Sequence, residues 1–246
     1  MALPSAVFEL SDPYANFMRN PVSGSDRVCP VCFGFKQATY KLCIACDRQP
    51  NHCDAIVPIT YSLETGQVHH ALRHYKDDRR KEIRTEFTFD LTAILWRFLA
   101  KHETCAAESS GTDTFDMVTV VPSGQATPDS PRPRLTRIVE EYCEHTAPRF
   151  RTLLERTDQP AEAHCYKADR FDARDNLTGE SVLLIDDTWT TGASVQSAAR
   201  TLKSAGASKV GAVVIGRHVN GEFDDHGALY RNLREPFDWD LCAVRS

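Results

Sequence analysis

The chain has 246 residues, a formal net charge of −5, 41% hydrophobic residues and 26% charged residues. Those values exclude a disordered chain, which holds too few apolar residues, and a membrane bundle, which holds too few charges. The length allows one large domain, or a small module followed by one α/β domain, and in either case a core that needs no disulfides. Mild acidity excludes a global attraction to nucleic acid.

Residues 1–28 are of mixed polarity, with Pro13, Pro21 and Ser23-Gly24-Ser25, and are expected to form a loosely ordered lead-in. No basic start or apolar run opens the chain, so a secretory signal is not expected and the cytoplasm is the expected address. A cysteine-rich module spans 29–53. Ala55–Ser62 reads as a strand and Glu64-Thr65-Gly66 as a turn. Val68, Leu72 and Tyr75 recur at helical spacing, and Asp77–Lys81 reads as a solvated helix face. A second helix is expected over Phe87–Ala100. Its apolar stretch is interrupted by Trp96-Arg97 and falls short of the roughly 20 residues a membrane span needs.

A polar linker over Glu108–Thr114 leads to Met117–Val121, an apolar run of the kind buried on both faces of a sheet. Ser123–Pro133 reads as loop, Leu135–Tyr142 as helix, Phe150–Leu154 as a short strand and Thr157–Arg170 as another loop. Val182–Ile185 is the clearest buried strand. A helix over Ser194–Ala205 follows it, closed by Gly206 in the position of a left-handed cap, and then a strand over Val210–Ile215. Strand, helix and strand at this spacing predict a right-handed βαβ unit and a parallel sheet flanked by helices.

Five of the nine cysteines, Cys29, Cys32, Cys43, Cys46 and Cys53, fall in one short segment. The first four form Cys-Pro-Val-Cys, a ten-residue gap and Cys-Ile-Ala-Cys. Each Cys-x-x-Cys turn aims two thiolates at one ion, so two such turns predict a zinc-ribbon-like structural site. Free or redox-active thiols are the other reading, and His52 and Cys53 are substitute ligands. A closed four-cysteine site would serve folding, or docking of a protein partner, and not chemistry. Cys105, Cys143, Cys165 and Cys242 stand alone and read as small apolar residues.

The segment from Val182 to Ser194 reads physically as a binding site. A buried strand delivers Asp186 and Asp187 to its carboxyl end, the edge at which open α/β sheets bind ligands. Adjacent carboxylates accept hydrogen bonds from vicinal hydroxyls or hold water around Mg²⁺. Thr188 follows them, and Thr190, Thr191, Gly192, Ala193 and Ser194 then offer backbone N–H groups and hydroxyls at a helix start, a cradle for phosphate. Trp189 between them either stacks on a substrate base or packs against the neighbouring loop.

This 13-residue segment resembles the PRPP (5-phosphoribosyl-1-pyrophosphate) motif of the type I phosphoribosyltransferases. With the four cysteines before it, the chain resembles the ComF family. Leu72-Arg73-His74-Tyr75-Lys76, Glu155–Gln159 and Arg170-Phe171 also resemble that family's segments. The resemblance implies a type I phosphoribosyltransferase-like domain over 54–246, binding PRPP with Mg²⁺ and passing phosphoribosyl to a nitrogen acceptor. A homodimer is a further family expectation.

Purine-specific relatives commonly carry Asp where this chain has Thr190, which argues against purine salvage. The Arg-Gly-Phe-Asn-Gln run usual in ComF relatives is missing; Ser123 and Gly124 are the candidates for the pyrophosphate loop, with Arg132, Arg134 and Arg137 nearby. By position, Lys167, Arg170 and His164 are the candidate cations of the catalytic loop. A non-catalytic PRPP or nucleotide sensor is the second expectation. Handling of single-stranded DNA through Arg79-Arg80-Lys81 and 132–137 is the third, and the interleaved acids count against it.

Overall fold

Two helices, over Gln67–Asp77 and Lys81–Ser110, separate the strands that build the sheet's two edges, so the sheet is assembled from distant parts of the chain. The computed structural model describes residues 3–123, 133–158 and 164–245. Its strands are β1 (Ala55–Leu63), β2 (Met117–Val120), β3 (Leu154–Arg156), β4 (Phe171–Ala173), β5 (Ser181–Trp189) and β6 (Lys209–Val219). Its α-helices are α1 (Ser5–Ser11), α2 (Ile44–Arg48), α3 (Gln67–Asp77), α4 (Lys81–Ser110), α5 (Arg134–Arg137), α6 (Ala193–Ser204) and α7 (His226–Asn232).

Four strands form a parallel sheet in the order β1-β6-β5-β2, and β3 pairs with β4 in a separate antiparallel ribbon. Val182–Ile185 of β5 and Ala212–Ile215 of β6 are fully buried, as strands covered on both faces must be. The α/β architecture, with helices flanking a parallel sheet and a four-cysteine cluster before it, is the one the sequence predicts. Gly206 takes φ 109° at the end of α6. A Cβ there would lie 2.1 Å from the Leu177 carbonyl oxygen, so both conformation and space require glycine.

Several elements differ from expectation, each for a tertiary reason. Residues expected to be loosely ordered form α1 and a 3₁₀ turn over Asp12–Asn16, and Met18 is fully buried in the core beneath α4. Arg97 of α4 donates to Ser11 Oγ at 2.9 Å. The helix α4 has 30 residues and ends only at Gly111, with φ 78°. Its last turns bury Cys105, Ala106, Ala107 and Ser110, so packing extends a helix into sequence that reads locally as linker.

The Asp77–Lys81 charge run is no continuous helix face: Asp77 ends α3, Lys81 starts α4, and the three residues between them are the break. Asp78 is extended, and its Oδ1 accepts the Arg80 backbone N–H at 2.9 Å, a local turn that competes with helix. The Leu135–Tyr142 helix is α5 followed by a π turn over Ile138–Tyr142. The strand expected over Phe150–Leu154 starts only at Leu154; Phe150 contributes one isolated bridge to Val118. Its partner β4 and the helix α7 carry too little periodic pattern to announce themselves. Among the described residues, no helix is long and apolar enough to cross a membrane.

Candidate functional site

Because the sheet is parallel, β5 and β2 end at the same edge, and Val121 N–H bonds the Ile185 carbonyl at 3.0 Å. Asp186, Asp187 and Ser123 are thereby gathered at one mouth. Asp187 is buried, and Asp186 is partly open to a cleft of ≈ 780 Å³ lined by both acids, Thr188, Thr190–Val195 and Ser123. Such a volume accommodates a phosphorylated sugar.

The acids are held unequally. Asp187 Oδ2 accepts the Tyr75 hydroxyl at 2.9 Å and pairs with Lys76 Nζ at 2.5 Å. Burial alone would raise the Asp187 carboxyl; the Lys76 charge and the bonds from Lys76 and Tyr75 outweigh it and hold the group below the usual carboxylate range. Burial and then the Asp187 charge push Asp186 well above that range, against the pull of Lys76. Burial, followed by the Asp187 charge, also holds the Tyr75 hydroxyl protonated as a donor. The roles of Tyr75 and Lys76 were not readable from periodicity, which places Tyr75 on the apolar stripe of α3. The signal available was a phenol in that stripe, since a buried hydroxyl needs a partner.

The phosphate-type turn is built by one close approach. Gly192 caps α6 with φ 82°, and a Cβ there would meet Trp189 Cζ2 at 2.0 Å. Trp189 is fully buried against this turn, so it supports the loop and is no stacking surface. Thr191 Oγ1 donates to the His164 carbonyl at 3.1 Å, and the N-terminus of α6 opens on the cleft. Buried Arg170 donates from Nη1 to Ser194 Oγ at 3.0 Å, which puts a guanidinium at the same turn. Burial, then the Arg156 charge, lowers its ordinarily very high pKa.

Other expected residues are placed as follows. Ser123, Arg134 and His164 line the cleft, whereas Gly124, Gln125 and Arg132 lie outside the described residues. Arg137 turns to Glu141, with Nε to Oε2 at 3.0 Å. Lys167 is not part of the cleft lining; its backbone N–H donates to Ser197 Oγ at 3.2 Å, alongside α6. Arg156, from the Glu155–Gln159 segment, lines the cleft, and His69 lines it without having been singled out.

The sulfurs of Cys29, Cys32, Cys43 and Cys46 all lie within 4.8 Å of one another, and three of the four residues are buried. Cys32 and Cys43 Sγ are 3.5 Å apart, where a tetrahedron with metal–sulfur bonds of about 2.3 Å needs roughly 3.8 Å. The donor set therefore fits a closed zinc site. Buried Arg217 of β6 joins this cluster to the turn. Its guanidinium donates to the Cys32 carbonyl at 3.1 Å, Cys32 Sγ at 3.4 Å, and the Trp189 and Thr190 carbonyls at 3.2 and 3.3 Å. Burial would depress this guanidinium, and the neighbouring Cys32 and Cys43 sulfurs hold it above its ordinary value.

Comparison with curated proteins gives no match. Among known families, the one described as "Phosphoribosyl transferase domain" matches residues 147–244, the part of the chain that carries both acids, the glycine turn and α6.

Proposed function

We propose that this protein binds PRPP at the cleft and transfers its phosphoribosyl group to a nitrogen acceptor, releasing pyrophosphate, as a ComF-like phosphoribosyltransferase. The observation that carries the reading is the join of Asp186 and Asp187 to the Thr190–Ser194 turn at the head of α6, with Arg170 on Ser194. In this reading the first-turn amides of α6 and the hydroxyls of Thr190, Thr191 and Ser194 hold the 5-phosphate. Asp186, facing the cleft, accepts the ribose hydroxyls, and Asp187 is oriented beside it by Tyr75 and Lys76.

Mg²⁺ fits the hard oxygen donors at this mouth, Asp186 foremost, and such an ion neutralises the charge that builds on leaving pyrophosphate. The protein's own contribution is positioning: a rigid strand end on one side and the fixed turn on the other hold the reacting carbon for in-line attack. Ser123 and Arg134 stand where the pyrophosphate would leave. The four cysteines hold zinc as a structural ion and leave no open position for chemistry.

A second reading, binding of PRPP or a nucleotide without transfer, is favoured by one observation: Lys167 lies outside the cleft lining. Calorimetric titration of PRPP with Mg²⁺ into wild type and Asp186→Asn/Asp187→Asn tests the site, and heat lost in the variant is expected. Pyrophosphate release across nitrogen acceptors then separates the readings. Binding without release for any acceptor favours the second, and no binding by folded wild type removes both.

A further inference from the structure

Cys105 and Cys242 do not stand alone. On α4, His102 and Cys105 are three positions apart and so share a face. Cys242 comes from the C-terminal segment laid against that face. The three are 5%, 3% and 4% exposed. One imidazole nitrogen and the two sulfurs all lie within 4.8 Å of one another. We infer that His102, Cys105 and Cys242 form a second metal site, one for a thiophilic divalent ion of the zinc class, separate from the four-cysteine cluster.

The geometry fits the ion. Cys105 Sγ is 3.6 Å from His102 Nδ1. An ion bonded to sulfur at about 2.3 Å and to nitrogen at about 2.0–2.1 Å, at a tetrahedral angle, separates those atoms by about 3.5 Å. The imidazole is also oriented for the task. His102 Nε2 lies 2.8 Å from the Trp239 carbonyl oxygen, an acceptor only, so Nε2 carries the proton and Nδ1 presents its lone pair to the sulfurs. Metal-binding histidines are commonly held in this way by a backbone carbonyl.

Charge balance agrees. A divalent ion displaces the two thiol protons, and with two thiolates and a neutral imidazole the site has no net charge. A neutral site suits a pocket this deeply buried, where an unbalanced charge is costly. The fourth position of the tetrahedron falls to a backbone or solvent oxygen, since the described residues add no further imidazole, thiol or carboxylate to the group. None of the three ligands lines the cleft, so the ion is structural. It reinforces a seam already marked by the Lys101–Asp240 and Arg245–Glu108 ion pairs and by Arg97 stacked over the Trp239 ring at 4.2 Å.

The test is zinc content per chain, by elemental mass spectrometry, of the full chain purified under a phosphine reductant without chelator. Wild type, Cys105→Ala/Cys242→Ala, His102→Gln and Cys29→Ser/Cys32→Ser are compared, with circular dichroism as the control for folding. Two zinc ions are expected in wild type, and half that content in both Cys105→Ala/Cys242→Ala and His102→Gln. Cys29→Ser/Cys32→Ser reports on the other cluster and separates the two sites. Zinc content equal to that of wild type in both Cys105→Ala/Cys242→Ala and His102→Gln overturns the inference. So does a wild-type chain two hydrogens lighter by intact mass, with Cys105 and Cys242 linked and no zinc between them. Replacement of zinc by Co²⁺ in wild type supplies a readout independent of any variant. The thiolate charge-transfer bands must account for two ions per chain, and bands from one ion in the four-cysteine cluster alone overturn it as well.

Discussion

Arg217 and Cys32 are 185 residues apart in the chain, yet the guanidinium of one donates to both the carbonyl and the sulfur of the other. The same guanidinium holds the carbonyls of Trp189 and Thr190, where the glycine turn begins. A single buried cation therefore connects the cysteine cluster to the cleft.

Gly34→Ala tests that connection from outside the cleft. A Cβ at Gly34 would fall 1.9 Å from Arg217 Nη2 and 2.6 Å from its Cζ. The guanidinium must shift, at a cost of about 1–3 kcal/mol of stability. The expected outcome is a lower melting temperature together with weaker PRPP binding by calorimetry. Unchanged PRPP affinity in a destabilised protein would show that the turn does not depend on Arg217.

Gly192→Ala strikes the turn directly. The new methyl meets Trp189 at 2.0 Å and the backbone keeps a positive φ, so crowding and strain add to about 2 kcal/mol or more. Loss of PRPP binding with a chemical-denaturation midpoint well below that of wild type is expected.

Lys76→Met removes the counter-charge of buried Asp187 and leaves the Tyr75 hydroxyl as its remaining side-chain donor from α3. Lys76 is 38% exposed on its side chain, so the loss falls below that of a fully buried pair, at about 2 kcal/mol. Urea denaturation without ligand measures it. In the variant the Asp187 carboxyl also titrates at higher pH, which carboxylate NMR shifts would report.

Glu103 gives the clearest pH dependence. Its carboxylate bonds His145 Nε2 at 2.7 Å and Arg149 Nη1 and Nη2 at 2.6 and 2.8 Å. Burial would raise this carboxyl, but the Arg149 and His145 bonds win and bring it from 4.5 down to about 2. A depressed folded value means stability that is present above pH 4.5 and fades as pH falls towards 2. Glu103→Gln is expected to cost about 2–3 kcal/mol at pH 7 and much less near pH 2, read from denaturation midpoints at the two values.

The parts legible in the sequence were those whose signal is local. Val182–Ile185 and Val210–Ile215 are continuous apolar runs, and Gly206 ends the helix between them; the acids and the glycine turn follow in one contiguous segment. The two Cys-x-x-Cys turns were equally local. What stayed hidden depends on residues far apart. Tyr75 and Lys76 reach Asp187 across more than a hundred residues, and Cys105 meets Cys242 through the return of the C-terminal segment. Helix α4 outran its apolar stripe because Ala106 and Ala107, small and undistinguished in sequence, are buried where it packs.

The reach of Arg217 bears on how this chain can be divided or recombined. A fragment beginning at Ala55 would discard Cys32 and leave a buried guanidinium without the sulfur and carbonyl that receive it. Cys29, Cys32, Cys43 and Cys53 also belong to the same apolar cluster as Trp189, Val195 and Val214, so the cut would expose that cluster. Grafting a foreign cysteine segment onto these strands would succeed only if it brought a carbonyl to the same guanidinium and a glycine beside it. The cysteine segment is thus one wall of the domain's interior, and inheritance or engineering must move the two as a unit.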